Sequence, residues 1–192
     1  MCNDYRSHLS AAQIADAFSE TGFPLRFDGG AIPNLEPRDD IRIGDAAAIV
    51  ARDEKGPVLR TMTWAWKGPG ARPVFNFRSD GRTFGGSERC LVPADAFYEF
   101  TDALPGHKRK TKWRFTRRGQ PWFWIAGLIK NDAWAMLTTE PGPDIAPYHD
   151  RQVVLLDRGQ AMAWLDLQQP EGELLKPSPA GALDVERVYP AA

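Results

Sequence analysis

RCLVPADAFYEF, residues 89–100, is the stretch on which the fold turns. It is rich in β-branched and aromatic residues and reads as strand. Side chains alternate between the faces of a strand, so Tyr98 and Phe100 share one face while Glu99 shares the other with Phe97. A carboxyl in such company is either half-buried, with a raised pKa suited to proton transfer near neutrality, or an ordinary carboxylate turned to water.

The same strand character extends in both directions. AAAIVA (46–51), VLRTMTWAW (58–66), PVFNF (73–77), KWRFTRR (112–118), PWFWIAGLIK (121–130), WAMLTTE (134–140), QVVLLD (152–157) and LDVERVY (183–189) read as further short strands. RRGQP (117–121) is a turn between two of them, and GHKRK (106–110) is a basic loop. Ser10 and Gln13 form a capping box, with Leu9 and Ile14 as a hydrophobic staple, which predicts a helix over 11–20 closed by Gly22. Asp157 and Gln160 cap a second helix carrying Ala161, Trp164 and Leu165, and ELLK (173–176) adds a turn. The segment 21–45, rich in Gly, Pro and Asp, reads as a surface loop. Strands outnumber helices and no linker is visible. The expectation is one α+β domain over 1–192, a curved antiparallel sheet or open barrel with two or three helices.

The chain has 192 residues with a net charge of −1, so any site for a polyanion must be a local patch. Seven Trp and ten Phe provide large flat surfaces for packing or stacking. Two cysteines, Cys2 and Cys90, make no disulfide framework, and no pair has metal-ligand spacing. No apolar run approaches the ~20 residues of a membrane span, and a cytoplasmic, membrane-free monomer is expected.

Chemistry points first to Cys2. Removal of Met1 would leave an α-amine and a thiol on one residue, a 1,2-aminothiol able to condense with an aldehyde and close a five-membered thiazolidine. With an amine near ~7.7–8.0 and a thiol near ~8.5, both nucleophiles are usable at neutral pH. The bland alternative is a cysteine near the start by chance. His149, in PYHDR, sits where loop side chains often meet a cleft and titrates near neutrality. Asn76 and Arg78 share a strand face, a pairing suited to a sugar and its phosphate. Arg82, Arg89 and Arg151 could extend a phosphate line. Trp64 and Trp66, also on one face, either stack bases or fill the core.

Taken in order, MCN, WAWKGPG, the N-x-R of VFNFR, RCLVPADAFYE, TTE followed by HDR, and WLD resemble the motifs of the SRAP family (SOS response-associated peptidase-like) across almost the whole chain. The resemblance implies an α+β fold with a DNA-binding cleft and the processed cysteine at its base. It implies that Cys2 captures abasic sites in single-stranded DNA covalently, with possible lyase and autopeptidase activity. Asn76 would orient the amine, Glu99 would shuttle protons and His149 would assist sugar ring opening. Arg78 and Arg151 correspond to phosphate-contacting arginines, the segment at 64–66 to a base-stacking wall, and Thr138 and Thr139 to positions beside the cleft. No cofactor or metal is implied. Three features depart from the pattern: Asp4 after MCN, a short stretch between Arg78 and Arg89, and Gln152-Val153 after HDR. Two other classes compete, a cysteine autopeptidase using Cys2 with Glu99 and His149, and a non-covalent single-strand binder.

Overall fold

The computed structural model describes residues 2–19 and 21–191. In chain order the strands are β1 (Asp4–Ser7), β2 (Arg26–Phe27), β3 (Arg38–Arg42), β4 (Ala46–Asp53), β5 (Gly56–Trp64), β6 (Trp66–Lys67), β7 (Pro73–Val74), β8 (Asn76–Arg78), β9 (Glu88–Ala94), β10 (Ala96–Thr101), β11 (Thr111–Arg117), β12 (Phe123–Lys130), β13 (Ala133–Thr139), β14 (Gln152–Val153), β15 (Leu155–Leu156) and β16 (Leu183–Tyr189). The α-helices are α1 (Ala11–Asp16), α2 (Ala161–Asp166) and α3 (Glu171–Leu174).

A five-stranded antiparallel sheet has the order β16-β11-β10-β1-β3. The larger sheet runs β14-β13-β12-β9-β4-β5-β2, and β13 also pairs with β5 in parallel, Trp134 opposite Trp64. That extra pairing joins the two ends of the run β13-β12-β9-β4-β5, so the sheet curls round on itself. The fold is α+β and strand-dominated, as expected.

The decisive stretch at 89–100 is two strands rather than one. β9 lies in the larger sheet and β10 in the smaller, and the chain changes sheets at Asp95, whose carboxylate accepts from Arg6 Nε at 2.8 Å. A similar break divides 58–66 at Ala65, which adopts φ 90°. PVFNF and QVVLLD are each split into two short pieces. β1 and β3 were not legible as strands; β3 lies inside the segment read as loop. The Ser10–Gln13 capping box is present, but α1 ends at Asp16, short of the expected 20, because Ala17 caps it and Thr21 Oγ1 turns back to the Phe18 carbonyl. Glu20 lies outside the described residues. Asp157 and Gln160 do make the second capping box, at a 3-10 turn leading into α2.

Strands buried on both faces explain the near-continuous apolar runs. In β12 and β13, Trp124, Ala135 and Leu137 face a core shared with α1 and α2, whereas Phe123, Ile125, Trp134 and Met136 face a second core. The second core also holds Cys2, just before β1, and Tyr5, Phe97 and Phe115 from the smaller sheet. No described helix is long and apolar enough to cross a membrane.

Candidate active site

Strand pairing carries the first residues of the chain into the protein. β1 lies between β10 and β3, with Tyr5 opposite Phe97 and Ile41. Since β1 and β10 run antiparallel, residues before Tyr5 advance along β10 toward Glu99. Cys2 is buried at 1% exposure, and its Sγ donates to the Asp4 carbonyl at 3.3 Å. Burial, with the Glu99 charge adding to it, pushes the Cys2 thiol well above its ordinary range.

Glu99 is also 1% exposed. Desolvation raises its pKa from 4.5 to about 7, and a hydrogen bond from the Cys2 main-chain N–H works against that rise. The carboxyl therefore addresses the very nitrogen that becomes the α-amine once Met1 is gone; Met1 itself lies outside the described residues. Of the two readings open for Glu99, the buried one holds.

Asn76 reaches the same residue from the larger sheet. β8 pairs in parallel with β13, Asn76 opposite Met136, and Asn76 Nδ2 donates to the Cys2 carbonyl at 2.7 Å. Its Oδ1 is buried with no hydrogen-bond partner among the described residues. Such an acceptor is costly to leave unused and available to an incoming donor.

His149 is half-buried at the end of a tight turn. His149 N–H donates to the Ile145 carbonyl at 3.0 Å, and the turn is packed from beneath by Tyr148 against Trp113 and Phe115. At Gly142 an added Cβ would stand 2.1 Å from the Ser178 carbonyl oxygen, so glycine is needed for the turn to sit this close. Two groups address His149 Nδ1: the Arg151 main-chain N–H donates to it at 3.0 Å, and the Asp150 carboxylate lies 2.8 Å away. The first requires a neutral ring protonated at Nε2; the second requires a proton on Nδ1. Burial lowers the His149 pKa, and Asp150 is solvent-exposed and screened, so the neutral ring with Nδ1 accepting is the form that fits.

Other expected site residues have different surroundings. Trp64 is fully buried, stacked on Trp134 at 5.3 Å with Nε1 donating to the Phe75 carbonyl, and offers no face to a base. Of its two readings, core is the right one. Arg89 is a correction too: its guanidinium is spent on the carbonyls of Phe84, Ser87, Trp164 and Leu165, tying α2 to β9. Arg151 is buried and bound to Asp80 and to the Thr138 carbonyl, so most of its charge is already engaged. Thr138 and Thr139 are buried in β13, with Thr139 Oγ1 3.5 Å from Asp80. Arg78 and Arg82 are exposed, and Trp66 lies below the surface of a separate groove. His8 pairs with Asp39, not with Cys2.

Two site groups escaped the sequence. Lys112 Nζ bonds the buried Asp4 carboxylate at 2.7 Å and also Asp40, bolting β1 and β3 to β11. Desolvation still lifts the Asp4 pKa to about 6 despite Lys112. Asp4, which departs from the family pattern after MCN, is thereby held below the surface at 4% exposure. Asp80 is the other; its position two residues beyond Arg78 was the available signal. Among the described residues no group of three His, Cys, Asp or Glu could hold a metal.

The pattern described for SOS response associated peptidase (SRAP) matches residues 1–191. The chain belongs to the SRAP family. Among curated relatives of this SRAP protein are Abasic site processing protein YoaM and Abasic site processing protein YobE of Bacillus subtilis, 29% and 28% identical. Each match covers 47% of the chain and 43% or 45% of the relative, so the aligned region spans less than half of either protein. Solved structures cover far more. A Bordetella bronchiseptica protein has a TM-score of 0.69 at 26% identity, covering 97% of this chain and 99% of its own. A phage-related protein of the same organism has a TM-score of 0.73 at 21% identity, covering 98% and 94%, and supports the fold alone.

Proposed function

We propose that this SRAP protein captures abasic sites in single-stranded DNA as a thiazolidine on Cys2, acting in a DNA damage response. The observation that carries the reading is convergence: the nitrogen and carbonyl of Cys2 meet Glu99 and Asn76 from two different sheets, inside a buried core. The names of the Bacillus subtilis relatives agree with abasic DNA as substrate.

After loss of Met1, the Cys2 amine attacks the aldehyde carbon of the ring-opened deoxyribose. Glu99, its carboxyl held above the ordinary range by burial, protonates the carbinolamine hydroxyl, which leaves as water, and takes up the nitrogen's proton to give an imine. Sγ then adds to the imine carbon, a C–S bond forms, and the thiol proton passes through Glu99 to the nitrogen. The Asn76 amide holds the Cys2 carbonyl while this happens, and the His149 Nε2–H stabilises the sugar ring oxygen as the hemiacetal opens. Arg78 is the exposed cation placed for a phosphate.

The raised thiol pKa favours this order over a cysteine peptidase. A peptidase needs a thiolate at the outset, whereas here the amine acts first and the thiol closes the ring afterwards. Intact mass of the purified protein, before and after incubation with an abasic single-stranded oligonucleotide, tests the reading. A loss of one methionine residue followed by a heat-stable adduct minus one water supports it, and Cys2→Ser abolishes the stable adduct. Retention of methionine, or an equal yield from Cys2→Ser, overturns it.

A further inference from the structure

Loss of Met1 would make Cys2 a chain end, and chain ends fray unless they are tied down. Strand pairing does little for this one. Among the described residues β1 pairs with β10 only at Tyr5 and Arg6, and with β3 from Asp4 onward. Asn3 is exposed. The first side chain past Cys2 that is fixed across strands is therefore Asp4.

Alternation sends Tyr5 into the second core with Phe97, Phe115 and Ile41, so Asp4 lies on the far face of the smaller sheet. There Lys112 of β11 reaches across β10, its Nζ 3.7 Å from the centre of the Tyr98 ring. It donates to Asp4 at 2.7 Å and also to Asp40 of β3. Arg42, Arg6 and Arg114 share this face, and each is engaged with another carboxylate, that of Asp40, Asp95 or Glu186. Among the described residues Lys112 is the cation that bonds Asp4.

Stability does not explain a buried carboxylate at this place. Desolvation, with the neighbouring Asp40 adding to it, outweighs Lys112 and lifts Asp4 to about 6. A raised folded pKa means that the carboxyl's contribution to stability is complete below the ordinary 3.8 and lost as pH rises through about 6. At pH 8 the ionised Asp4 thus disfavours the fold relative to a neutral side chain. Buried ion pairs are better attested in fixing register than in adding stability. Register has a chemical consequence here, because the Asp4 carbonyl accepts from Cys2 Sγ at 3.3 Å while Asn76 holds the Cys2 carbonyl.

We propose that the Asp4–Lys112 pair is a positioning device for the nucleophile. Acting from the far face of the sheet, it keeps the freed chain end in the register at which the Cys2 nitrogen meets Glu99 and the Cys2 carbonyl meets Asn76. The proposal rests on the abasic-site reading for its substrate, yet the alignment it describes serves any aldehyde.

Its test uses two aldehydes at pH 8 on protein purified without Met1: an abasic single-stranded oligonucleotide, and glycolaldehyde, which needs no DNA contact. In both reactions amine and thiol each bond to the aldehyde carbon and its oxygen leaves as water, so intact mass follows the product. Asp4→Asn is expected to slow adduct formation about tenfold with either aldehyde, with the half-saturating DNA concentration unchanged. Its denaturant midpoint at pH 8 should be no lower than the parent's, a split that a merely structural role would not give. Lys112→Met should also slow capture, and the double variant should be no slower than the slower single. Parent rates in Asp4→Asn, a rate loss matched by a lowered midpoint, or additive losses in the double variant would each overturn the proposal. If the parent reacts with glycolaldehyde but never with the abasic oligonucleotide, while Asp4→Asn remains slower, the abasic-site reading falls and the positioning role stands.

Discussion

On the proposed reading, the two faces of β8 differ as a reaction vessel differs from a landing surface. On one side Asn76 looks into a core where Cys2 and Glu99 are each 1% exposed and the Glu99 pKa is raised to about 7, chiefly by desolvation. On the other, Phe77 looks into an open groove rimmed by the exposed Lys67, Arg82 and Lys130. Proton transfer profits from exclusion of water, which tunes pKa values and strengthens directed hydrogen bonds. Phosphate recognition is sequence-tolerant and works from the surface. On that reading one short strand serves both, because alternation sends neighbouring residues opposite ways.

Substitutions should respect that division, and the largest effect belongs to the buried side. Trp64→Ala is expected to cost ~3–5 kcal/mol. Thermal unfolding would show a melting temperature lower by about 10 °C or more. A base-stacking Trp64 would instead leave the melting temperature near the parent's and weaken only DNA binding.

Glu99→Gln comes next, with adduct formation slowed about 100-fold, within the usual range for general acid–base catalysis. Rapid-quench gels across pH 5 to 9 would show the parent's inflection near pH 7 and its loss in the variant. Stability carries the same signature. A carboxyl whose folded pKa is raised binds its proton more tightly when folded, so this contribution is complete below pH 4.5 and is lost as pH rises through about 7. Denaturant titrations should find the variant more stable than the parent at pH 8, by on the order of 2 kcal/mol, and level with it at pH 4.

Asn76→Ala removes one hydrogen bond to Cys2, and single-turnover adduct rates should fall about tenfold with the melting temperature little changed. Equal rates would mean that the amide serves packing only. The smallest change is expected at the surface: Arg78→Ala should weaken single-strand binding by about 1 kcal/mol and lower its salt slope by about 0.7, without altering the rate at saturating DNA. A lower saturated rate would move Arg78 from the landing surface into the reaction site.

Local pattern was sufficient where local forces decide. The capping boxes at Ser10 and Asp157 and the apolar runs of β12 and β13 read correctly, because caps and alternation act over a few residues. Strand breaks at Ala65 and Asp95 did not, since an uninterrupted β-prone stretch carries no mark of the point where it leaves one sheet for another. Residue type and order singled out Glu99 and Asn76, and the structure brings both to Cys2. The core reading of Trp64 and the engagement of Arg89 and Arg151 could not be read from local pattern, as they depend on partners 70 or more residues away, Trp134, Leu165 and Asp80.

The sequence by itself determined the strand-dominated class, the aminothiol latent in Cys2 and the family motifs, all properties of residue identity and short-range order. Only the tertiary structure decided that β1 slots between β10 and β3, that Lys112 bonds the buried Asp4, and that Glu99 is dry enough to hold a proton near neutrality. Desolvation and long-range strand pairing are collective: they arise from what the rest of the chain packs around a residue, and no neighbour in the sequence encodes them.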